Sequence, residues 1–258
     1  THPPKCEETA RSRRLAPQVR PTLSTLGPLA RQTPQPSTKS KSPHSAIMAD
    51  GPPYGRDVRE LSLYDAGVTS LSELGDLPQM TGLRSLNLHC NRIEKISCLG
   101  SLTQLTYLNM SSNVIEAIGG LHTLTQLQTL DLSCNRIRLI DGLATLRSLR
   151  RLLLSFNRIS SLAGMVQCHG GELAHFEAYG NRITLLREAE YLRGLPNLGE
   201  VVLNRHGQDN PICREREYRE RVLALLPRLQ VLDDVVTAAG HAATEAQQQR
   251  VPPLASAM

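Results

Sequence analysis

The sequence repeats itself at intervals of 22 residues through its central part. In four consecutive units, the same eight positions hold seven apolar residues and one asparagine. These units begin at Leu83, Leu105, Leu127 and Leu149. Looser copies at the two ends of this run begin at Val58, Leu173 and Leu198. A unit of this size cannot bury its own apolar face, so about seven such units must stack on one another to form a common core.

Within each unit, the spacing of apolar residues changes from two to three. Leucines at alternate positions, such as Leu86 and Leu88, predict a strand with one buried face. The apolar residues that follow are about three apart, which predicts short helical or 3₁₀ turns that return the chain to the same core.

An asparagine lies three residues after the second leucine of the strand, where the chain must turn. Its side-chain amide can satisfy backbone groups that the turn exposes. We therefore expect the asparagines of successive units to stack as a buried structural ladder formed by Asn91, Asn113, Asn135, Asn157 and Asn181.

This pattern resembles the 22-residue intracellular subclass of the leucine-rich repeat family. The resemblance implies an α/β fold: a curved solenoid with a parallel β-sheet on its concave face and short helical or 3₁₀ turns on its convex face. It also implies that the concave face binds a partner. Residues 209–233 look like the helical carboxy-terminal cap of the subclass, and we expect its helix at residues 214–226, ending before Pro227.

Three segments carry a finer resemblance: N-L-H-C-N-x-I at residues 87–93, L-S-C-N at 132–135 and D-N-P-I-C at 209–213. They look like the repeat domain of the leucine-rich repeat and coiled-coil centrosomal proteins. The resemblance implies a non-catalytic scaffold or adaptor in the cytoplasm, at the centrosome, centriole or ciliary basal body. Those proteins continue into a long coiled coil, whereas residues 235–258 show no sustained heptads.

Two other functions remain open, because other short-repeat proteins of the family have different roles. Some regulate protein phosphatase 1, which would make this chain a regulatory subunit. Others are components of the spliceosomal ribonucleoprotein.

Charge and composition divide the chain into further parts. Residues 1–47 carry a net charge of +6 and half of the 16 prolines, whereas residues 48–234 carry −1. We expect a disordered basic leader at 1–47 that is not part of the natural protein, with Met48 as the natural start. A lead-in at 48–57, repeats at 58–208, the cap at 209–233 and a flexible tail at 234–258 complete the predicted organisation. A near-neutral repeat region disfavours a nucleic-acid partner.

The strand pattern also predicts which side chains face the concave groove. If Leu86 and Leu88 point into the core, the residues between and beside them point outward. Exposed aromatic residues and arginines are typical of protein-binding hot spots, although ordinary solvated strand residues would give the same pattern. The candidate contact residues are Tyr64, Asn87, His89, Tyr107, Asn109, Asp131, Arg151, Leu153, Phe156, His175, Glu177 and Tyr179.

In four units, the ladder asparagine is followed by arginine and isoleucine. This places a stripe along one edge of the solenoid, formed by Arg92, Arg136, Arg158 and Arg182. The stripe could meet an acidic partner surface, or it could be a solvated row of long side chains. Val114 interrupts the row, and Glu94 and Glu116 are interleaved with it.

Motifs for catalysis are missing from the sequence. It contains no Gly-rich phosphate loop, nucleophile elbow or HExxH motif, and its eight histidines are scattered. Its six cysteines form no CxxC pair, a pattern typical of intracellular thiols. No apolar run approaches the roughly 20 residues that span a membrane. We therefore predict a protein-binding module that is not an enzyme and has no cofactor, metal or small-molecule substrate.

Overall fold

The computed structural model of the chain describes residues 58–248. The predictions for the leader at 1–47, the start at Met48, the lead-in at 48–57 and the last part of the tail, at 249–258, lie outside the described residues.

Within residues 58–248, nine short strands form one open sheet in chain order. Strands β1 to β8 are parallel, and β9 pairs antiparallel with β8. The strands are β1 Glu60–Ser62, β2 Ser85–Asn87, β3 Tyr107–Asn109, β4 Thr129–Asp131, β5 Arg151–Leu153, β6 His175–Glu177, β7 Glu200–Val202, β8 Val231–Leu232 and β9 Val235–Val236.

The strands are aligned without register shifts, so that equivalent residues of successive units are neighbours. The buried column of central residues runs through Leu86, Leu108, Leu130, Leu152, Phe176, Val201 and Leu232. Together with the apolar residues of the return segments, this column forms one continuous core. The predicted leucine-rich repeat solenoid with a parallel sheet is confirmed.

In the described part of the repeats, helical turns on the convex side occur only where a unit is longer than 22 residues. Successive strands 24 or 25 residues apart are connected by segments that contain 3₁₀ turns, at Leu71–Glu73, Leu77–Gln79, Ala163–Cys168 and Leu186–Leu192. The connections from β2 to β5 repeat every 22 residues and contain bends and turns only. The extra two or three residues supply the length that a helical turn requires.

The cap is built differently from the expected single helix at 214–226. A 3₁₀ segment at Pro211–Arg214 and helix α1 at Tyr218–Leu225 are separated by Glu217, whose φ of 60° interrupts the helical backbone. Helix α1 buries Tyr218 and Val222 against the core. The sheet then continues past β7 into β8 and β9, so the helix does not cover its last edge.

The tail expected to be flexible from residue 234 instead forms β9 and helix α2, Ala238–Gln248, within the described residues. Thr237 anchors this segment: its buried hydroxyl donates to the carbonyl of Leu229 and accepts the N–H of Gly240. Gly240 passes so close to the chain that an added Cβ would lie 2.3 Å from the carbonyl oxygen of Gln230. The absence of heptads does not reveal whether a segment is held in place by side-chain hydrogen bonds of this kind.

Candidate functional site

Three rows of side chains cross the outer face of β1 to β7, which we call the concave face. The first row consists of Glu60, Ser85, Tyr107, Thr129, Arg151, His175 and Glu200. The second row consists of Ser62, Asn87, Asn109, Asp131, Leu153, Glu177 and Val202. The third row, just past the strand ends, consists of Tyr64, His89, Ser111, Ser133, Ser155 and Tyr179. Neighbours in the strand rows lie on adjacent strands, about 4.8 Å apart.

Polar side chains of the second row form hydrogen bonds with the backbone just past the ends of their own strands. A side-chain oxygen accepts the backbone N–H two residues further on, at 3.0 Å for Asn87 and 2.9 Å for both Asn109 and Asp131. Burial raises the pKa of Asp131, although its hydrogen bonds from Ser133 act in the opposite direction. These three residues are half-buried, so they have a structural role as well as a position on the face.

The amino-terminal half of the face exposes aromatic surface. Tyr64 is 58% exposed and stacks on the ring of His89, with the centroids 5.4 Å apart. Nδ1 of that ring lies 2.7 Å from the hydroxyl of Ser111. Tyr107 is 37% exposed. Arg151 is also exposed, and it makes no ion pair with any residue in the part of the chain that the structure describes.

At the carboxy-terminal half of the face, charged residues bind one another. The ring of His175 lies between two carboxylates, with Nδ1 2.7 Å from Glu200 and Nε2 2.9 Å from Glu177. Arg205 donates to Glu177 at 3.1 Å and forms a two-bond contact with Asp234 at 2.8 and 2.6 Å. Glu177 is only 6% exposed. His175 and Glu177 thus lie on the predicted face, but the chain's own residues occupy their polar atoms.

Phe156 and Tyr179 pack on each other beside this charged group. Their rings make an edge contact at 5.2 Å, and the guanidinium of Arg205 lies 5.2 Å from the centroid of the Tyr179 ring. An added Cβ at Gly180 would lie 2.8 Å from the Phe156 ring. The ring of Phe156 therefore supports the neighbouring turn rather than standing free on the face.

The charged group, which consists of His175, Glu177, Glu200, Arg205 and Asp234, makes the stability of the fold depend on pH. Burial alone would lower the pKa of His175, but hydrogen bonds to Glu177 and Glu200 and the charges of both carboxylates outweigh it, so the pKa is raised. For Glu177, burial acts to raise the pKa, but its contacts with His175 and Arg205 prevail and the pKa is lowered.

We expect the free energy of unfolding to fall as the pH rises above the ordinary histidine pKa of about 6.5. The contribution of protonated His175 is complete below the ordinary histidine pKa of about 6.5 and is lost as the pH passes the raised pKa of the folded state. Urea unfolding at pH values below and above this transition should show the loss in the wild type, and His175→Gln should reduce it. An exposed control, His122→Gln, should retain it. Identical profiles for the two variants would contradict the assignment. Glu177 acts oppositely: its contribution is lost in acid.

The predicted ladder asparagines are buried and bond to the unit before them. Oδ1 of Asn135 accepts the backbone N–H of Ile115 at 3.0 Å, and Nδ2 donates to the carbonyls of Met110 and Leu132, both at 3.0 Å. The same three contacts recur at Asn91, Asn113, Asn157 and Asn181. Each amide thus joins two adjacent units.

Left-handed backbone precedes these asparagines and makes the turn sharp enough to direct the amide inward. The φ angles are between 55° and 67° at Cys90, Ser112, Cys134, Phe156 and Gly180. Side chains seldom tolerate this conformation unless the surrounding contacts impose it.

Sequence reasoning missed a sixth ladder residue, Asn210. Its Oδ1 accepts the N–H of Ile183 at 3.1 Å, and its Nδ2 donates to Ala178 and Leu203 at 2.8 and 2.9 Å. The repeat spacing assigns this position to His206, which is exposed. A loop four residues longer brings the asparagine to the same place. The only local signal is an asparagine before a proline.

Arginines of the predicted stripe lie along the flank where each unit leaves the ladder. Arg158 and Arg182 line an open depression of about 490 Å³ together with Arg138, Leu139 and Ser160. We call these five residues the arginine depression. Arg136 is exposed and lies in the same unit as Arg138, whereas Arg92 lies two units away, beyond Val114.

Within residues 58–248, no three His, Cys, Asp or Glu side chains are grouped so that they could hold a metal ion. Over the same residues, no helix has the length and apolar character needed to cross a membrane.

Comparison with known protein families gives two matches. A family model described as Leucine-rich repeat matches residues 104–249, which is more than half of the chain. A second model, described as Leucine Rich repeats (2 copies), matches residues 81–122.

Individual proteins match over shorter lengths. Human Leucine-rich repeat and coiled-coil domain-containing protein 1 is 40% identical over 72 residues, which is 27% of this chain and only 7% of that protein. Among solved structures, the internalins inlF and inlC2 of Listeria monocytogenes are 25% and 26% identical, with TM-scores of 0.48 and 0.47. The matches cover 66% and 67% of this chain, and 52% and 79% of theirs. A chain of the Drosophila melanogaster SNF/U2A′ complex is 30% identical, with a TM-score of 0.43, over 53% of this chain and 77% of its own length.

Proposed function

Because the chain belongs to the leucine-rich repeat family, we propose that it is a non-catalytic adaptor that binds a protein partner on its concave face. The observation that carries this proposal is the exposed aromatic surface of Tyr64 and Tyr107 on a concave face that is mostly polar. Large aromatic side chains left outside the core are frequent anchors of protein interfaces.

The geometry divides the predicted contact residues into two groups. Tyr64, Tyr107 and Arg151 have exposed side chains and are available to a partner, and the half-buried Leu153 adds apolar surface beside them. Those that are partly or wholly engaged within the chain are Asn87, His89, Asn109, Asp131, Phe156, His175, Glu177 and Tyr179. We propose that the first group contacts the partner and that the second group keeps the shape of the face.

We further propose that this adaptor acts in the cytoplasm at the centrosome, centriole or ciliary base. Support for this location comes from the three resembling segments, at residues 87–93, 132–135 and 209–213, together with the partial match to the human leucine-rich repeat and coiled-coil protein. Imaging the full chain, tagged at its endogenous level, against a centriole marker tests the location. Diffuse signal without centriolar or ciliary enrichment would contradict it.

Combining Tyr64→Ala with Tyr107→Ala is expected to weaken partner binding by about tenfold or more, because losing a hot-spot side chain costs more than about 1 kcal/mol of binding free energy. Proximity labelling with the tagged full chain should show the loss of the principal labelled neighbours. Tyr191→Ala is the matched control, because Tyr191 is 36% exposed but lies on the convex side.

Equal labelling by the wild type and the double variant would contradict the assignment of these anchors. Labelling of protein phosphatase 1 or of spliceosomal proteins, lost in the double variant, would keep the binding face but replace the proposed location with one of the two alternative functions.

A further inference from the structure

We propose that the arginine depression is a second binding site, which takes an acidic peptide segment that carries an apolar side chain. The depression lies on the flank of the solenoid, outside the concave face, and the inference does not depend on the proposed function.

The first argument is unbalanced positive charge. Arg138, Arg158 and Arg182 line one depression, and none of them forms an ion pair with another residue in the range 58–248. Gathered guanidiniums repel one another, and an anionic ligand removes this repulsion while forming charge-assisted hydrogen bonds.

Within residues 58–248, five arginines pair with a carboxylate, whereas others, such as Arg151, form no ion pair. Arg150, Arg205 and Arg214 each contact a carboxylate within 2.8 Å. The arginine depression is different because it gathers three guanidiniums without an ion pair in one place, and the carboxylate of Glu116 in the preceding unit forms no ion pair with them. An acidic ligand would supply the missing counterion.

The second argument is the apolar side chain among these charges. Leu139 is 67% exposed, and the equivalent positions of the two neighbouring units hold Ala117 and Ser161. An exposed leucine between guanidiniums gains nothing within the chain, but it can pack against an apolar side chain of a ligand. A depression of about 490 Å³ has room for such a side chain.

Two features favour a peptide over a nucleic acid. The residues that line the depression include no aromatic ring on which a base could stack. The basic track is also short, because Glu94 and Glu116 occupy the Arg138 position in the two preceding units. Two unit spacings of about 4.8 Å match roughly three residues of an extended peptide.

The test is fluorescence anisotropy of the full chain with a labelled synthetic peptide in which Glu and Asp flank a central Leu-Leu pair. We expect saturable binding that weakens with added salt. Arg158→Gln combined with Arg182→Gln should weaken it at least tenfold, and Leu139→Ser at least threefold. Arg193→Gln combined with Arg228→Gln removes the same charge from exposed positions elsewhere and should change the affinity less than twofold.

A matched peptide with a central Ser-Ser pair should bind more weakly than the Leu-Leu peptide. The Tyr64→Ala, Tyr107→Ala variant should bind the Leu-Leu peptide as the wild type does, which separates this site from the concave face.

Four results would overturn the proposal: no saturable binding of the peptide, equal losses in the two double arginine variants, unchanged binding by Leu139→Ser, or tighter binding of polyuridylate that the depression variant abolishes. The last result would assign the depression to nucleic acid. Circular dichroism spectra and thermal unfolding of each variant ensure that the losses are not caused by unfolding.

Discussion

Substitution of Asn135 by alanine is expected to lower the free energy of unfolding by about 3 kcal/mol. The side chain is 8% exposed and bonds to Ile115, Met110 and Leu132. Its removal leaves one backbone N–H without a partner and weakens the bonding of two carbonyls inside the core. A buried group left in this state costs about 1 to 3 kcal/mol.

Urea unfolding followed by far-ultraviolet circular dichroism measures this effect. The control is Asn197→Ala, at an exposed position whose side chain makes one long hydrogen bond of 3.4 Å, and it should change the stability by less than about 0.5 kcal/mol. A loss below about 1 kcal/mol for Asn135→Ala would show that water replaces the amide, which would contradict the structural ladder as a stabilising element.

Leu130→Ala is expected to cost about 2 to 5 kcal/mol. Leu130 is the central residue of β4 and is fully buried, with Leu108 and Leu152 on the adjacent strands. The substitution removes apolar surface from the core and leaves a cavity that neighbouring units cannot fill, because strands on both sides fix their positions.

The same unfolding experiment tests this second substitution against Leu139→Ala. Leu139 is an exposed leucine, so its truncation should alter the stability by less than about 0.5 kcal/mol. A similar cost for the two variants would mean that Leu130 is not part of a packed core, in conflict with the solenoid.

The spacing of the sequence was sufficient to predict the parts of the fold that recur. Leu86 and its equivalents lie inward, and Asn91 and its equivalents lie at the turns, because every unit faces the same requirement to bury one apolar stripe and to bond one turn. Exposure of Tyr64 and Tyr107 also follows from the alternation of the strand.

Structural features that occur only once could not be predicted from the 22-residue repeat. Glu177 occupies a position that predicts exposure, yet it is buried, and besides His175 on its own strand it contacts Arg205, 28 residues further along the chain. Asn210 reaches the ladder through a loop of unusual length, and Thr237 orders a segment that has no periodic pattern. For Glu177 and Asn210, contacts between residues distant in sequence override the local signal.

The position of Asn210 has a consequence for the predicted boundary between repeats at 58–208 and cap at 209–233. This residue lies on the cap side of the boundary but bonds to Ile183 and Ala178, within the preceding units. The boundary therefore separates two segments of the sequence, but the residues on its two sides belong to one packed structure. Shorter relatives with the same architecture should lack inner units, and longer relatives should have additional ones. Both should retain the terminal segment, so that changes in length are confined to the middle of the stack.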